Sequence, residues 1–372
     1  MPILGTIASR NGGTPTAPTI GIATAGNALA TVTYTASTYT GKGAATYTAT
    51  SSPGGFTGTG ASPITVSGLT NGTAYTFTVK ATSTTGQTAT SAASNSVTPA
   101  VPGVPITYLI LAGGGGGNWG GGGGGGYLES TGTATQGSTL TVTVGAGASY
   151  SNLAAPSPSF PNGSNSVFNG ITAYGGGGGG SGSTPPYTGA SGGSGGGAYG
   201  NSSTGGAGTS GQGYAGGGNT GTANNAGAGG GGAGGIGGSG SNGSPYPTGG
   251  IGGNGVYSSI TGSSVGRGGG AGGSGYGTNM TIAQCSAYGG GFPGNTGAGG
   301  SAYIQPPANR GGGGAGMAYD ATFGYRSYGG SGIVIISYPT SYGAATTTGS
   351  PTIGTVGSNY VYQFTGSGSI RF

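Results

Sequence analysis

Apolar and polar positions alternate along the first hundred residues. In the run ALATVTYTA, Ala30, Val32, Tyr34 and Ala36 are separated by Thr31, Thr33 and Thr35. In TAYTFTVKA, Tyr75, Phe77, Val79 and Ala81 are separated by Thr76, Thr78 and Lys80. A period of two marks a strand with one buried and one wetted face. Threonine on the wet face keeps β-propensity without charge. Thr40-Gly41-Lys42-Gly43, Pro53-Gly54-Gly55 and Thr70-Asn71-Gly72 supply turns between the runs. The pattern predicts a β-sandwich over residues 17–99, preceded by an N-terminal segment 1–16 and followed by a stiff, proline-containing linker 100–105.

The pattern then changes. ITYLILA (Ile106–Ala112) and SGIVIISYP (Ser331–Pro339) are continuous apolar runs, as expected of strands covered on both faces. They bracket the glycine-rich stretch, so they are expected to pair and to close one domain over 106–339. STLTVTVGAG and NSVFNGITAYGG add two strand-like runs near its start. From Gly175 to Gly330 no hydrophobic period survives. Glycine supplies 103 of the 372 residues, against about 7% in ordinary proteins. Disorder is the default for such tracts, but the Tyr, Ile and Phe at tract ends argue against it. Collagen needs glycine at every third position, and GAGGGGAGGIGGSGSNG breaks that frame. A third arrangement is a lattice of polyglycine II helices, whose outward-pointing N–H and C=O groups bond neighbours on all sides where no side chain intervenes. The small interruptions Ser194, Ala198, Ala207, Ala226 and Ala233 suit such a lattice. The expected fold is all-β plus polyglycine II: a sandwich, then packed polyglycine II helices closed by β-strands, then a C-terminal β-hairpin segment over 340–372.

Charge narrows the chemistry. Only 2% of residues are charged, the acids being Glu129 and Asp320, and there is no histidine. General acid–base catalysis needs a titratable group near working pH, and a serine nucleophile needs a base. Zinc needs clustered Cys, His or carboxylates. No enzyme, metal site or cofactor is expected. Cys285 stands alone, which excludes an internal disulfide framework. GRGGG at Arg267 and NRGGGG at Arg310 have the form of RNA-binding segments, but seven dispersed bases neutralise phosphate poorly. Nucleic acid is therefore not an expected partner. MPILGTIASR lacks the features of a secretory signal, and no apolar run approaches the ~20 residues of a membrane span.

Residues 64–99, ITVSGLTNGTAYTFTVKATSTTGQTATSAASNSVTP, resemble a fibronectin type III domain. Leu69, Asn71-Gly72 and Tyr75 match that family's tyrosine corner, whose phenol bonds to upstream backbone. No tryptophan occupies the early strands, so Tyr34 or Val32 must fill its place. Tyr108–Gly117 and Gly329–Pro339 resemble the opening and closing signatures of glycine-rich adhesins of phage tail fibres, and YVYQFTGSGSIRF (Tyr360–Phe372) is similar to their terminal hairpin. The resemblance implies a non-enzymatic fibre or fibre-tip protein on a virion surface, made in the host cytoplasm. Its implied partners are a host surface glycan or outer-membrane protein, other virion proteins through the N-terminal segment, and further copies of itself, without membrane insertion. The alternative is a structural virion protein, such as a head fibre or capsid decoration, or a self-assembling filament without a receptor.

Non-glycine residues collect in five inserts: 183–191, 242–250, 278–293, 303–310 and 317–328. Tyrosine beside Pro, Gly and Ser is the composition of rigid recognition loops. The candidate receptor-binding residues are Tyr187, Tyr246, Tyr288, Phe292, Tyr303, Tyr319, Phe323, Tyr325, Arg326 and Tyr328. The competing role for each tyrosine is to cap the edge of the lattice.

Overall fold

The computed structural model describes residues 13–38, 43–149, 161–181, 187–201, 203–219, 226–241, 247–275, 305–316 and 327–372. The chain forms two compact units, Met1–Gly103 and Val104–Phe372. Among the described residues the regular structure is β, apart from one 3-10 turn at Thr340–Tyr342.

The first unit holds seven strands: β1 (Thr19–Ala25), β2 (Leu29–Thr35), β3 (Thr46–Ser52), β4 (Thr57–Thr59), β5 (Ile64–Ser67), β6 (Thr76–Thr82) and β7 (Thr88–Thr90). They form two antiparallel sheets, β1-β2-β5 and β4-β3-β6-β7. Alternation sorts the side chains. Ala30, Val32 and Tyr34 from one sheet meet Ala49, Phe77 and Val79 from the other in a single buried cluster. Tyr34 and Val32 both sit in that core, 8% and 0% exposed. The Tyr75 hydroxyl accepts the Thr70 N–H at 3.1 Å, a bond from the ring to upstream backbone.

The second unit contains β8 (Gly103–Leu111), β9 (Tyr127–Thr135), β10 (Thr139–Thr143), β11 (Ser166–Phe168), β12 (Ile171–Ala173), β13 (Val256–Ser258), β14 (Val265–Arg267), β15 (Ile333–Pro339), β16 (Thr346–Thr348), β17 (Thr352–Val356), β18 (Asn359–Phe364) and β19 (Gly368–Arg371). The two continuous apolar runs are neighbours: Ile333 pairs with Leu111, Ile335 with Leu109 and Ser337 with Thr107. They lie at the middle of the sheet β17-β18-β15-β8-β9, with β12-β11-β10-β19-β16 as a second sheet. Ile110, Val334 and Ile336 pack with Val142, Phe168 and Ile370 of the second sheet. Leu109, Leu111, Ile333 and Ile335 form a separate cluster with Val361, flanked by Tyr127, Ile260 and Val356. Both faces of β8 and β15 are thus covered. The segment 340–372 is integral to this unit, since β17 and β18 extend one sheet and β16 and β19 the other.

Beyond these strands the chain runs as extended glycine tracts, and their hydrogen bonds repeat every third residue. From the tract 120–126, Gly120, Gly123 and Gly126 donate to the carbonyls of Gly180, Gly177 and Tyr174. Gly121 and Gly124 donate to Ala228 and Gly231, and Gly122 and Gly125 to Gly314 and Gly311. Its own carbonyls accept from the remaining sides: Gly121 from Gly197, Gly122 from Ala271, Gly123 from Gly115 and Gly124 from Ser194. The tract 113–118 behaves alike: Gly113 and Gly116 donate to Ser164 and Pro161, Gly114 and Gly117 to Gly330 and Ser327, Gly115 and Asn118 to Gly123 and Gly120.

This arrangement leaves no room for side chains. A Cβ on Gly120, Gly122 or Gly124 would lie 2.1, 2.3 or 2.2 Å from the carbonyl oxygens of Gly197, Gly115 and Gly268. None of the glycines from 113 to 126 has a φ in the left-handed region. Glycine serves here by lacking a Cβ, not through its dihedral freedom.

At the rim a period appears that the alternation and heptad templates do not detect. Thr204, Ala207 and Ser210 are exposed, as are Ile236 and Ser239, and Thr248, Ile251 and Asn254, while the residues between them are buried or half-buried. Side chains there stand on every third residue, facing outwards. Of the small interruptions, Ser194, Ala198 and Ala226 are fully buried, whereas Ala207 faces solvent.

Candidate binding site

The tracts prolong the strands. The chain leaves β8 at Leu111, turns at Asn118–Trp119–Gly120 and returns to β9 at Tyr127. Tracts also continue from β10, β12 and β14 and lead into β11, β13 and β15. One end of the glycine bundle is therefore anchored on strands, and the Trp119 turn marks the other.

The described residues flanking 182–186, 242–246 and 317–326, with the end of the tract 268–275, gather at that turn, whereas the described part of the insert 303–310 lies against the strands, where Gly268 donates to Arg310 and Gly125 to Gly311. The Trp119 carbonyl accepts the Ser274 N–H at 2.8 Å, and Gly227 donates to the Ser274 carbonyl at 2.8 Å. Gly120 donates to Gly180, and the Tyr187 carbonyl accepts the Tyr199 N–H at 2.8 Å. Gly117 and Ser327 form an antiparallel bridge. Asn219 ties further ends together: its Nδ2 donates to the Ala226 carbonyl at 2.7 Å and its Oδ1 accepts the Gly240 N–H at 2.9 Å. Ser241 and Thr248 bridge across the gap between them. The rings of Trp119 and Tyr199 lie 4.8 Å apart at 36°. Tyr199 is 7% exposed and Trp119 half-buried. Offset aromatic pairs of this kind add about 0.5–1.5 kcal/mol beyond their burial.

Two of the ten sequence candidates fall among the described residues. Tyr187 is half-buried beside Gly180 and Gly200. Tyr328 is half-buried, and its N–H donates to Gln305 Oε1 at 3.1 Å. Both stand at the Trp119 end, on different tracts. Tyr246, Tyr288, Phe292, Tyr303, Tyr319, Phe323, Tyr325 and Arg326 lie outside the described residues, as do Cys285 and Asp320. Trp119 and Tyr199 were not among the sequence candidates. The signal for Trp119 was its position as the one large interruption of a long glycine run.

The matching residues run from 89 to 339, two thirds of the chain, and the family model is that of a glycine-rich domain. The chain belongs to that glycine-rich domain family. No curated protein and no solved structure matches it. Within this glycine-rich domain the charged groups among the described residues, Glu129, Arg267 and Arg310, sit on or beside the strands. Arg267 is 4% exposed and donates from Nη1 to the Asn309 carbonyl at 2.9 Å, so it is committed to the fold rather than displayed. Burial pushes its pKa down, helped by the neighbouring Arg310. Tyr127 donates to the Glu129 carboxylate, and burial together with that bond raises the phenol's pKa. The described residues at the Trp119 end offer aromatic rings, amides, hydroxyls and backbone, the chemistry of non-covalent contact.

Proposed function

We propose that this protein is a phage fibre or fibre-tip protein that binds the host cell surface, a glycan or an outer-membrane protein, through loops at the Trp119 end of a polyglycine scaffold. One observation carries the reading. The described residues that flank 182–186, 242–246 and 317–326, with Trp119, Tyr187, Tyr199 and Ser274 among them, are bonded together at one end of the bundle, away from its strands. Loops that spring from a rigid base lose less conformational entropy on binding than free ones.

The scaffold is read as polyglycine II. Three donor directions repeating every three residues, with acceptors on the intervening sides, are what a helix of three residues per turn produces when packed among its own kind. The first unit is read as a fibronectin type III-like spacer. Its sheets β1-β2-β5 and β4-β3-β6-β7 and its Tyr75–Thr70 bond support that reading. The protein works on a virion surface, attached through its N-terminal segment and present in several copies.

A loop exchange tests the function. Residues 182–186 and 317–326 are replaced by Gly-Ser sequences, which leaves the bonded tracts intact, and adsorption of the purified protein to host cells is measured. Loss of adsorption with unchanged thermal stability supports the proposal. Adsorption that persists, or is absent from the unaltered protein, favours a purely structural virion role.

A further inference from the structure

On the flank of the glycine bundle, apart from the Trp119 end, lies an open recess of about 330 Å³. We infer that this recess is a binding site for a neutral saccharide. Asn162, Asn165, Tyr174, Ser191 and Thr209 supply its side-chain chemistry, and among the described residues none that lines it is charged.

The four polar side chains are each bonded to backbone. Asn162 Oδ1 accepts the Gly178 N–H at 2.9 Å and its Nδ2 donates to the Ser191 carbonyl at 2.9 Å. Asn165 Oδ1 accepts the Gly175 N–H at 2.9 Å, a bond that does not use the Nδ2 donors. Ser191 Oγ accepts the Ala207 N–H at 3.2 Å and keeps its own proton to donate. The Thr209 hydroxyl donates to the Gly192 carbonyl at 2.9 Å and retains acceptor capacity. Tyr174 is 46% exposed, yet its backbone is fixed by bonds to Gln212 Oε1 and from Gly126.

An exposed aromatic ring, amide donors and mixed hydroxyl groups without a full charge suit a ligand that presents both C–H surface and neutral hydroxyls. A pyranose has that character. Preorganisation by backbone lowers the entropy lost on binding, and the absence of charge gives an anionic sugar no compensation for desolvation. The recess is open, and many copies acting together would add avidity to a single weak contact. Its biological sense rests on the surface-binding reading, but its chemistry does not.

Saturation-transfer NMR on the full chain tests it, with lactose and maltose as neutral probes and 3′-sialyllactose as the anionic one. Tyr174→Ala should reduce transfer to at least one neutral disaccharide fivefold or more. Asn165→Asp, which keeps the acceptor for Gly175 and removes the amide donors, should reduce it as well. Tyr214→Ala removes a comparably exposed tyrosine (49%) that does not line the recess, and should leave transfer unchanged. Circular dichroism checks that each variant is folded. No transfer to either neutral probe, equal transfer in the Tyr174→Ala protein, or stronger transfer to the sialylated probe overturns the inference. Host adsorption measured in parallel separates the two proposals. Adsorption without saccharide binding removes this site alone, and saccharide binding without adsorption removes the host-binding role alone.

Discussion

Replacing Gly122 by alanine probes the backbone-bonded core at its centre. The added Cβ would lie 2.3 Å from the Gly115 carbonyl oxygen and 2.9 Å from the Gly314 nitrogen. Three tracts meet there: Gly122 donates to Gly314 at 2.8 Å, Gly314 to Gly115 at 2.8 Å, and Gly115 to Gly123 at 2.9 Å. Each new neighbour is main chain, so no rotamer change relieves the clash. Restoring ordinary contact separates the tracts by about 1 Å, which carries two of the bonds past the useful limit of about 3.2–3.5 Å. Two lost bonds cost about 1–3 kcal/mol net, and buried groups left without partners add to that. The expected loss is about 2–6 kcal/mol, a large part of the ~5–15 kcal/mol that holds a domain folded. Gly354→Ala is the comparison. It lies on the exposed strand β17 with nothing within 4 Å of the added Cβ, and should be neutral or stabilising by about 0.5–1 kcal/mol. Differential scanning calorimetry on both variants gives the answer. Equal transition temperatures for the two would refute the idea that tract contact, rather than glycine content, holds this unit together.

Other outcomes follow from the same geometry. Inserting one glycine after Gly123 turns every bond on one side of the insertion towards a wrong neighbour, whereas inserting three restores the directions. The single insertion should therefore lower the melting temperature more than the triple one. Ser194 and Ser274 bury hydroxyls that have no hydrogen-bond partner among the described residues. Ser194→Ala and Ser274→Ala should each stabilise by about 1 kcal/mol, read by denaturant melts. At the rim, Ile236→Ser should change stability by no more than about 0.5 kcal/mol, while Ala228→Val in the buried interior should cost about 1–3 kcal/mol. Burial, then Tyr362, raises the pKa of Tyr338 above its ordinary 10.0, and burial, then Glu129, raises that of Tyr127. Unfolded phenols ionise near pH ~10 and these ionise later, so their contribution is complete below pH ~10 and is lost as pH rises beyond it. With no histidine in the chain, melts should be flat between about pH 6 and 9 and fall above about 10.

The strands were legible because side chains specify them. Val32, Tyr34, Phe77 and Val79 announce a one-sided sheet by alternation, and Leu109, Leu111, Ile333 and Ile335 announce a two-sided one by continuity. Composition pointed to a glycine-rich domain, but the order of its tracts was hidden. A glycine tract carries no side chain to say which neighbour it faces, and Gly121 reads like Gly122 although they donate to Ala228 and Gly314. The one available signal was at the rim. Thr204, Ala207 and Ser210, like Thr248, Ile251 and Asn254, are spaced by three, and that period lies outside the templates for strands and amphipathic helices. The run 227–243 holds two such rim positions, Ile236 and Ser239, but its buried start, 227–232, is glycine and alanine throughout and breaks the collagen frame. The candidate loops were recognisable as inserts. Their common base was not, because it depends on which tract ends come together, and Trp119 and Tyr199 meet across eighty residues of sequence separation.

Amide hydrogen exchange over residues 113–126, in the full chain selectively labelled with ¹⁵N-glycine, tests the backbone-bonded core most directly. If neighbouring tracts satisfy one another's main chain, these amides open only with the unit as a whole, and their exchange is slowed by a thousandfold or more, about 4 kcal/mol of opening energy. Exchange at the rate of a free glycine peptide would contradict the account.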